Sequence, residues 1–529
     1  METTDISPAM AEVLKKRYLA RNYRGEVLEK PQDMFRRVAH AVAEADRLFE
    51  AGAHVEATAE SFEAAMAEKV FLPNSPCLMN AGRPIGQLAA CFVLPIEDSL
   101  ESIFDTLKNT ALIHQTGGGT GFSFSRLRPR GDTIFPAAGV AGGPHVFISL
   151  FDNATHLIDR NRVRPGANMA VLHVSHPDIG DFIQAKNIEG QLCNFNLSVA
   201  VDDLFIDCVK HGRDYPLIHP RTGVEVGRRS APMLLDMMAQ AAWKTGDPGL
   251  LFIDRINRAN PTPGLGRLEA TNPCGEQPLL PYECCTLGSI NLTQVISGKK
   301  VDHDKLDNAV RLAVHFLDNV IEVNRYPLRQ IEEISRTNRK TVDLAESIMA
   351  QIQQAADAAS SELAAKRGSF PAFDHSIFPA AGIKRRRNAT LTTLAPTGTI
   401  SLIAGVSSGI EPVYAFETRR RIGDTVFDDI HPIYQRYRSE GRAVPKEIFQ
   451  SAYDVTPRWH LEIQAAFQKH TDNAVSKTVN LPVSATEDDI RQLFVAAMDM
   501  PVKGITVYRD QSHKDQILGA CSIKREECS

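Results

Sequence analysis

From about Phe71 onward the chain repeats one texture: short apolar runs broken by Gly, Pro or Asn, such as FLPNSPCLMNAG, CFVLPIEDSL and FNLSVAV, set between longer stretches with helical spacing. A brief apolar run bounded by turn-forming residues fits a strand, and amphipathic helices between such runs cover the faces of a sheet, so the pattern predicts an α/β fold. The helical stretches can be placed. Over 303–324, Leu306, Ala309, Val310, Ala313, Leu317, Val320, Ile321 and Asn324 form one stripe. A second helix over about 341–366 should stop at Arg367-Gly368, a basic last turn followed by a glycine able to take the left-handed cap. Before Phe71, residues 7–70 read as a helical region. Ser7 and Pro8 offer an N-cap and a first-turn proline, and Met10, Val13, Leu14 and Tyr18 follow at helical spacing. The chain therefore divides into a helical N-terminal region (1–70), a large α/β domain (71–515) and a short tail (516–529) that is polar and read as flexible.

Charge and hydropathy exclude several function classes. A formal net charge of -5 gives no cationic field of the kind that holds a nucleic-acid polymer. No apolar run approaches the roughly 18 to 20 residues of a membrane helix, and the start, METTDISPAM, lacks the layout of a signal peptide. A cytoplasmic enzyme or binding protein is expected, with neither membrane nor nucleic-acid partner. Nine cysteines in 529 residues are no disulfide scaffold, and most should be buried, inert thiols. Cys77, Cys193 and Cys208 are read that way.

The segment TNPCGEQPLLPYECC (271–285) is different. Pro273 and Gly275 forbid regular helix, so the stretch should be a tight loop or finger presenting Cys274. In an extended loop Glu276, two positions on, would share a side with Cys274, and so would Asn272, giving one substrate a sulfur, a base and an amide. The motif alone equally fits a buried structural cysteine with a solvated glutamate. A zinc site is a poorer alternative, because Cys274, Cys284 and Cys285 lack paired C-x₂₋₄-C spacing; no metal site is expected. The glycine run 117–121 is followed by neither the Lys-Ser/Thr of a P-loop nor a helix. It serves either close approach of a ligand or close packing of chain against chain. Pro396-Thr397-Gly398-Thr399-Ile400 is a hydroxyl-rich turn that could cap a helix or meet an anion. Asp98-Ser99-Leu100 opens a helix, with Asp98 a candidate N-cap.

Asn-Pro-Cys-Gly-Glu followed by Glu-Cys-Cys-Thr-Leu-Gly-Ser-Ile-Asn-Leu resembles the active-site finger of ribonucleotide reductases. Other blocks agree in order: FLPNSPCLMNAG at 71–82, CFVLPIEDSLESIF at 91–104, TGGGTGFSFSRLRPRGD at 116–132, GANMAVLHVSHPDI at 166–179, LAPTGTIS at 394–401, SGIEPVYA at 408–415 and ITVYRD at 505–510. The resemblance implies a ten-stranded α/β barrel with a central finger loop carrying Cys274. It further implies that Cys274 becomes a thiyl radical and removes the ribose 3′-hydrogen, that Glu276 takes the 3′-hydroxyl proton, and that Asn272 holds the 3′-oxygen. Cys91 and Cys285 would deliver two electrons as the 2′-hydroxyl leaves as water, ending as a disulfide. Their separation in sequence makes that pairing tertiary, and it needs Cα atoms about 4.4–6.8 Å apart. Cys284, one residue out of register, is read as structural. By the same resemblance Ser75, Ala90, Gly118, Gly119 and residues Pro396 to Ile400 contact the ribonucleotide substrate. Asp98, Ser99, Leu100 and Arg128 would hold a deoxynucleoside triphosphate effector, with NRVRPGAN (161–168) linking effector to substrate choice. Pro165 departs from the usual Arg or Gly there.

The family's classes differ in how the thiyl is made. Class I needs a relay that ends in two adjacent tyrosines; here Tyr508 is followed by Arg509. Nothing after 500 resembles the glycyl-radical motif of class III. The resemblance is therefore to class II, which uses adenosylcobalamin, in a form without an N-terminal ATP-cone. Thioredoxin or glutaredoxin is the expected reductant, and Cys521 and Cys528 are either exposed tail thiols or a swinging pair that re-reduces Cys91 and Cys285. A homodimer is expected. The rivals are a class I large subunit needing a radical-generating partner and a non-catalytic nucleotide-binding barrel.

Overall fold

A computed structural model describes residues 8–134, 139–159, 166–188, 190–298, 300–338, 346–422, 425–446, 449–512 and 518–520. Ser7, the loop positions 161–165 with Pro165, and both tail cysteines, Cys521 and Cys528, lie outside them.

The helical region begins with α1 (Pro8–Val13), continues through α2 (Pro31–Ala43) and α3 (Val55–Ala67), and ends at β1 (Phe71–Pro73). In the α/β part, strands and helices then alternate: β2 (Cys91–Leu94), α4 (Leu100–Gln115), β3 (Gly119–Ser123), α5 (Pro144–Asp159), β4 (Asn168–His173), β5 (Phe195–Val201), α6 (Ala231–Thr245) and β6 (Gly249–Phe252). Two short strands follow, β7 (Ala270–Thr271) and β8 (Pro278–Leu279), then β9 (Cys284–Cys285) and β10 (Gly288–Ile290). Long helices α7 (His303–Val323) and α8 (Glu346–Arg367), the single turn α9 (Ile400–Ala404), β11 (Thr478–Leu481), α10 (Glu487–Asp499) and β12 (Gly504–Arg509) complete the elements that matter here.

Eight strands make one mixed sheet in the order β9-β2-β3-β4-β5-β6-β12-β11. Strands β2 to β6 are mutually parallel, β12 runs antiparallel to β6, and β11 is parallel to β12. Parallel strands are covered on both faces, which is why these runs are apolar almost throughout rather than alternating. Alternation still sorts the faces. Phe92 and Leu94 on β2, Phe122 on β3, Leu172 on β4 and Val199 on β5 pack with the helices on one side. Val93, Met169, Val171 and Ala200 point to the other side, against Ala270 and Leu279 of the β7–β8 hairpin. Cys91 is two residues before Val93 and so faces the hairpin side.

Helix α7 carries the expected stripe into a second core, with Phe35 and Val38 of α2, Phe62 of α3 and Leu14 and Tyr18 after α1. Its end at Asn324 and the end of α8 at Arg367 match the sequence reading, and Gly368 takes φ +81° as the cap requires. The tail differs from expectation: Leu518–Ala520 pairs antiparallel with Thr418–Arg420, because that strand edge offers free backbone groups. No helix among the described residues is long and apolar enough to cross a membrane.

Candidate active site

Cys274 sits at the tip of the β7–β8 hairpin. The Asn272 backbone N–H donates to the Gln277 carbonyl at 3.2 Å and the Gly275 N–H to the Asn272 carbonyl at 3.1 Å, closing a turn that needs φ +83° at Gly275. The segment is thus a turn and not an extended strand. The hairpin is gripped from both sides. Gly121 of β3 lies so close that a Cβ there would come within 1.8 Å of the Thr271 carbonyl oxygen, and Asn196 of β5 donates its amide to the Pro273 carbonyl at 2.7 Å. Opposite, the Glu276 carbonyl accepts from the Ala474 N–H at 2.9 Å and from the Thr393 hydroxyl at 2.7 Å.

One cavity of about 180 Å³ opens beside the tip. Its walls bring together Ser75, Ala90, Cys91, Cys274, Glu276 and the run Pro396 to Ile400, four segments scattered over the sequence. The three sulfurs differ in access: Cys274 is exposed, whereas Cys91 and Cys285 are buried. Cys285 is the direct cross-strand partner of Cys91 in the antiparallel β9–β2 pair, and its thiol hydrogen-bonds to that of Cys91. Burial, reinforced by that bond, pushes the Cys285 thiol well above its usual range, so this sulfur is held as a thiol. Cys284 points the other way, its sulfur 3.1 Å from the Ser335 hydroxyl.

Glu276 is 1 % exposed, and burial lifts its carboxyl to about 7 despite a hydrogen bond with Asn272 that pulls downward. Its Oε2 has no hydrogen-bond partner among the described residues. A buried carboxyl that titrates near neutrality and keeps one oxygen free is suited to take or give a proton. Asn272 is not in the cavity wall. Its Nδ2 donates to Cys91 Sγ at 3.1 Å, while its Oδ1 accepts from the Gln277 N–H at 3.0 Å. Asn272 and Cys274 do not share a side as in an extended loop, because residues 272–275 close a turn with Cys274 at its centre.

Gly118 and Gly119 also stand back from the cavity. A Cβ on Gly118 would meet the Phe92 ring at 2.5 Å, and one on Gly119 would meet Pro273 at 3.0 Å, so both glycines let the chain pack closely here. In the 396–400 turn, Thr397 adopts φ +49°, a strained value for a β-branched residue, and its hydroxyl accepts from the Gly409 N–H at 2.8 Å. Outside the cavity, Asp98 accepts from Arg128 Nε at 2.9 Å and from its backbone N–H at 3.1 Å. Asp98 is therefore not the N-cap of α4; Ser99 is, its hydroxyl accepting from the Ser102 N–H at 3.1 Å, and Leu100 beside it is exposed. Arg509 donates to the Trp243 carbonyl at 3.0 Å and lies 4.3 Å from that ring's centre.

Sequence reasoning missed the wall given by Arg17 and Tyr18 of the helical region and by Asn74 just after β1. Tyr18 was placed in a core stripe, and its ring is indeed buried, but its hydroxyl bonds Ser75 Oγ at 2.8 Å. A polar end on a stripe residue was the only available signal.

Comparison with known proteins matches residues 89–341 and 380–508 to the model of the ribonucleotide reductase barrel domain, and residues 4–86 to that of the ribonucleotide reductase all-alpha domain. The chain is 45% identical over 98% of its length, and 81% of the relative's, to the vitamin B12-dependent ribonucleoside-diphosphate reductase of Mycobacterium tuberculosis (strain CDC 1551 / Oshkosh). It is 40% identical, with the same coverage of both chains, to the protein of that name from Thermoplasma acidophilum. The vitamin B12-dependent ribonucleotide reductase of Streptomyces coelicolor is 27% identical over 88% of this chain and 61% of its own.

Proposed function

The chain belongs to the ribonucleotide reductase family, and from that premise we propose that it is an adenosylcobalamin-dependent ribonucleoside-diphosphate reductase. The observation that carries the chemistry is the cavity that joins an exposed thiol, a buried carboxyl with a free oxygen and a thiol backed by a second one.

The hairpin tip fits a bulky radical source. Cys274 is exposed there, and a Cβ on Gly275 would meet nothing within 4 Å, so these two residues would face the cofactor. Adenosylcobalamin, when bound, supplies the one-electron oxidation that removes the thiol hydrogen of Cys274. The Cys274 thiyl then takes the 3′-hydrogen of the ribose, and Glu276 Oε2 accepts the 3′-hydroxyl proton. The 2′-hydroxyl leaves as water while Cys91 and Cys285 together give two protons and two electrons, one proton to that water and the other with both electrons to C2′, and close an S–S bond; Glu276 returns its proton to the 3′-oxygen. Cys274 finally returns its hydrogen to C3′, so the sulfur radical is regenerated. Asn272, whose amide donates to Cys91 Sγ and whose side chain also bonds Glu276, orients both groups and holds the 3′-oxygen once substrate is present. Ser75, Ala90 and the turn from Pro396 to Ile400 line the diphosphate side.

We read the eight-stranded sheet, with the segments near 393 and 474 that hold Glu276, as a ten-stranded barrel whose centre is occupied by the 270–279 hairpin. The contacts of the hairpin with Gly121 and Asn196 on one side and with Thr393 and Ala474 on the other support it. The helical region is taken to run to about residue 70 and the catalytic domain from there to about 515. A deoxynucleotide effector at Asp98, Ser99, Leu100 and Arg128, a cytoplasmic homodimer, and thioredoxin or glutaredoxin as reductant acting through Cys521 and Cys528 complete the reading. The class I alternative is not favoured, since Arg509 occupies the second tyrosine's place and is engaged with Trp243.

The deciding assay is anaerobic, with CDP, a dithiol and the purified chain, with and without adenosylcobalamin. Deoxycytidine diphosphate should form only with the cofactor, and not with Cys274→Ser. Product without cofactor, or none with it, overturns the reading.

A further inference from the structure

Among the described residues the cavity wall contains one cationic side chain, and it comes from the helical region: Arg17, in the turn that follows α1. We propose that Arg17 is the substrate-phosphate cation of this site, so that the helical region completes the nucleotide pocket and sets its preference for phosphorylated over unphosphorylated nucleosides. This rests on the reading of the cavity as a ribonucleotide site.

Three observations carry it. First, position: Arg17 Nη1 lies 3.5 Å from Thr399 Oγ1, in the hydroxyl-rich turn where the diphosphate is placed. Second, availability: that bond is long and weak, and no carboxylate among the described residues pairs with Arg17. Arg128 in the effector region is by contrast already neutralised by Asp98 at 2.9 Å. A diphosphate brings about three negative charges, and a guanidinium fork matches phosphate oxygens in geometry as well as sign. Third, anchoring: the backbone around Arg17 is fixed. Arg83 donates to the Tyr18 carbonyl at 2.9 Å, Glu29 accepts from the Ala20 N–H at 2.8 Å, and Glu29 also binds Arg83 and Arg37, each at 2.8 Å. The Tyr18 hydroxyl on Ser75 Oγ ties the same turn to the opposite wall. A cation held on such a mount loses little freedom when a ligand arrives.

Cys274 supplies a local readout. It is exposed in this cavity, and nucleotide bound there should shield it from iodoacetamide, whereas exposed Cys193, outside the cavity, serves as the internal reference in the same mass-spectrometric digest. The concentration of CDP giving half protection of Cys274 should rise on the order of 10- to 100-fold in Arg17→Ala, the loss expected for a hydrogen-bonded charge, and less in Arg17→Lys. Protection by cytidine should not change. Equal losses for CDP and cytidine would mean that Arg17 only packs the wall, and no loss for either would mean that it does not meet the ligand; both outcomes overturn the proposal. Failure of CDP to protect Cys274 in the unmodified chain would instead remove the ribonucleotide reading of the cavity itself. Unchanged thermal unfolding of the variants separates these results from misfolding.

Discussion

Glu276 shows what a single residue contributes when its surroundings are arranged against it. Its carboxyl is raised by burial from 4.5 to about 7, and the sign of the consequence follows. An acid whose folded value exceeds its unfolded one favours folding only while protonated, so that contribution is present below 4.5 and is lost as pH rises through about 7. The size is on the order of 3 kcal/mol. Glu276→Gln should abolish turnover yet be more stable than the unmodified chain at pH 8 by about that amount, with little difference at pH 4.5. Denaturant unfolding at the two pH values measures it, and parallel profiles would show that the carboxyl is not strained. Legibility at this scale was uneven. Cys274, Glu276, Cys91 and Cys285 were named through the family resemblance, because nothing local brings residue 91 to residue 285. Asn272 was named as part of the same loop, but its bond to Cys91 was not legible, because a turn over residues 272–275 replaces the extended loop that the sequence suggested. Arg17 and Asn74 carried no local mark: one stands in a basic helical turn, the other caps a short helix.

Among the elements, α7 was readable nearly to the residue because one apolar stripe over its 21 residues suffices to define it. The hairpin was not. Its strands are two residues each, too short for any period, and its shape is imposed by what grips it. Gly121 is the test of that grip. A methyl group there would strike backbone, which cannot swing aside, so Gly121→Ala should lower stability by about 3 kcal/mol or more and remove activity. Gly227→Ala, on an exposed strand where a Cβ meets nothing within 4 Å, should change stability by no more than about 0.5 kcal/mol. Thermal melts of the pair decide between a hairpin held by shape and one that tolerates displacement. Sheet order was likewise hidden, as the antiparallel junction between β6 and β12 joins strands separated by most of the domain.

For the whole molecule, α4 and α5 lie against each other and leave Leu100, Phe104, Leu112, Val146 and Leu157 exposed, an apolar surface suited to a second copy of the chain. On the proposed homodimer, Phe104→Glu should convert dimer to monomer in sedimentation; a dimer that persists would place the interface elsewhere, and a monomeric unmodified chain would remove the homodimer itself. The sorting of the three sulfurs by access has a further meaning for traffic. Cys91 lines the cavity read as the substrate site, and Cys285 stands behind it. On the proposed chemistry, one doorway serves two visitors. Deoxynucleotide must depart before a reductant can enter, so the two half-reactions take turns.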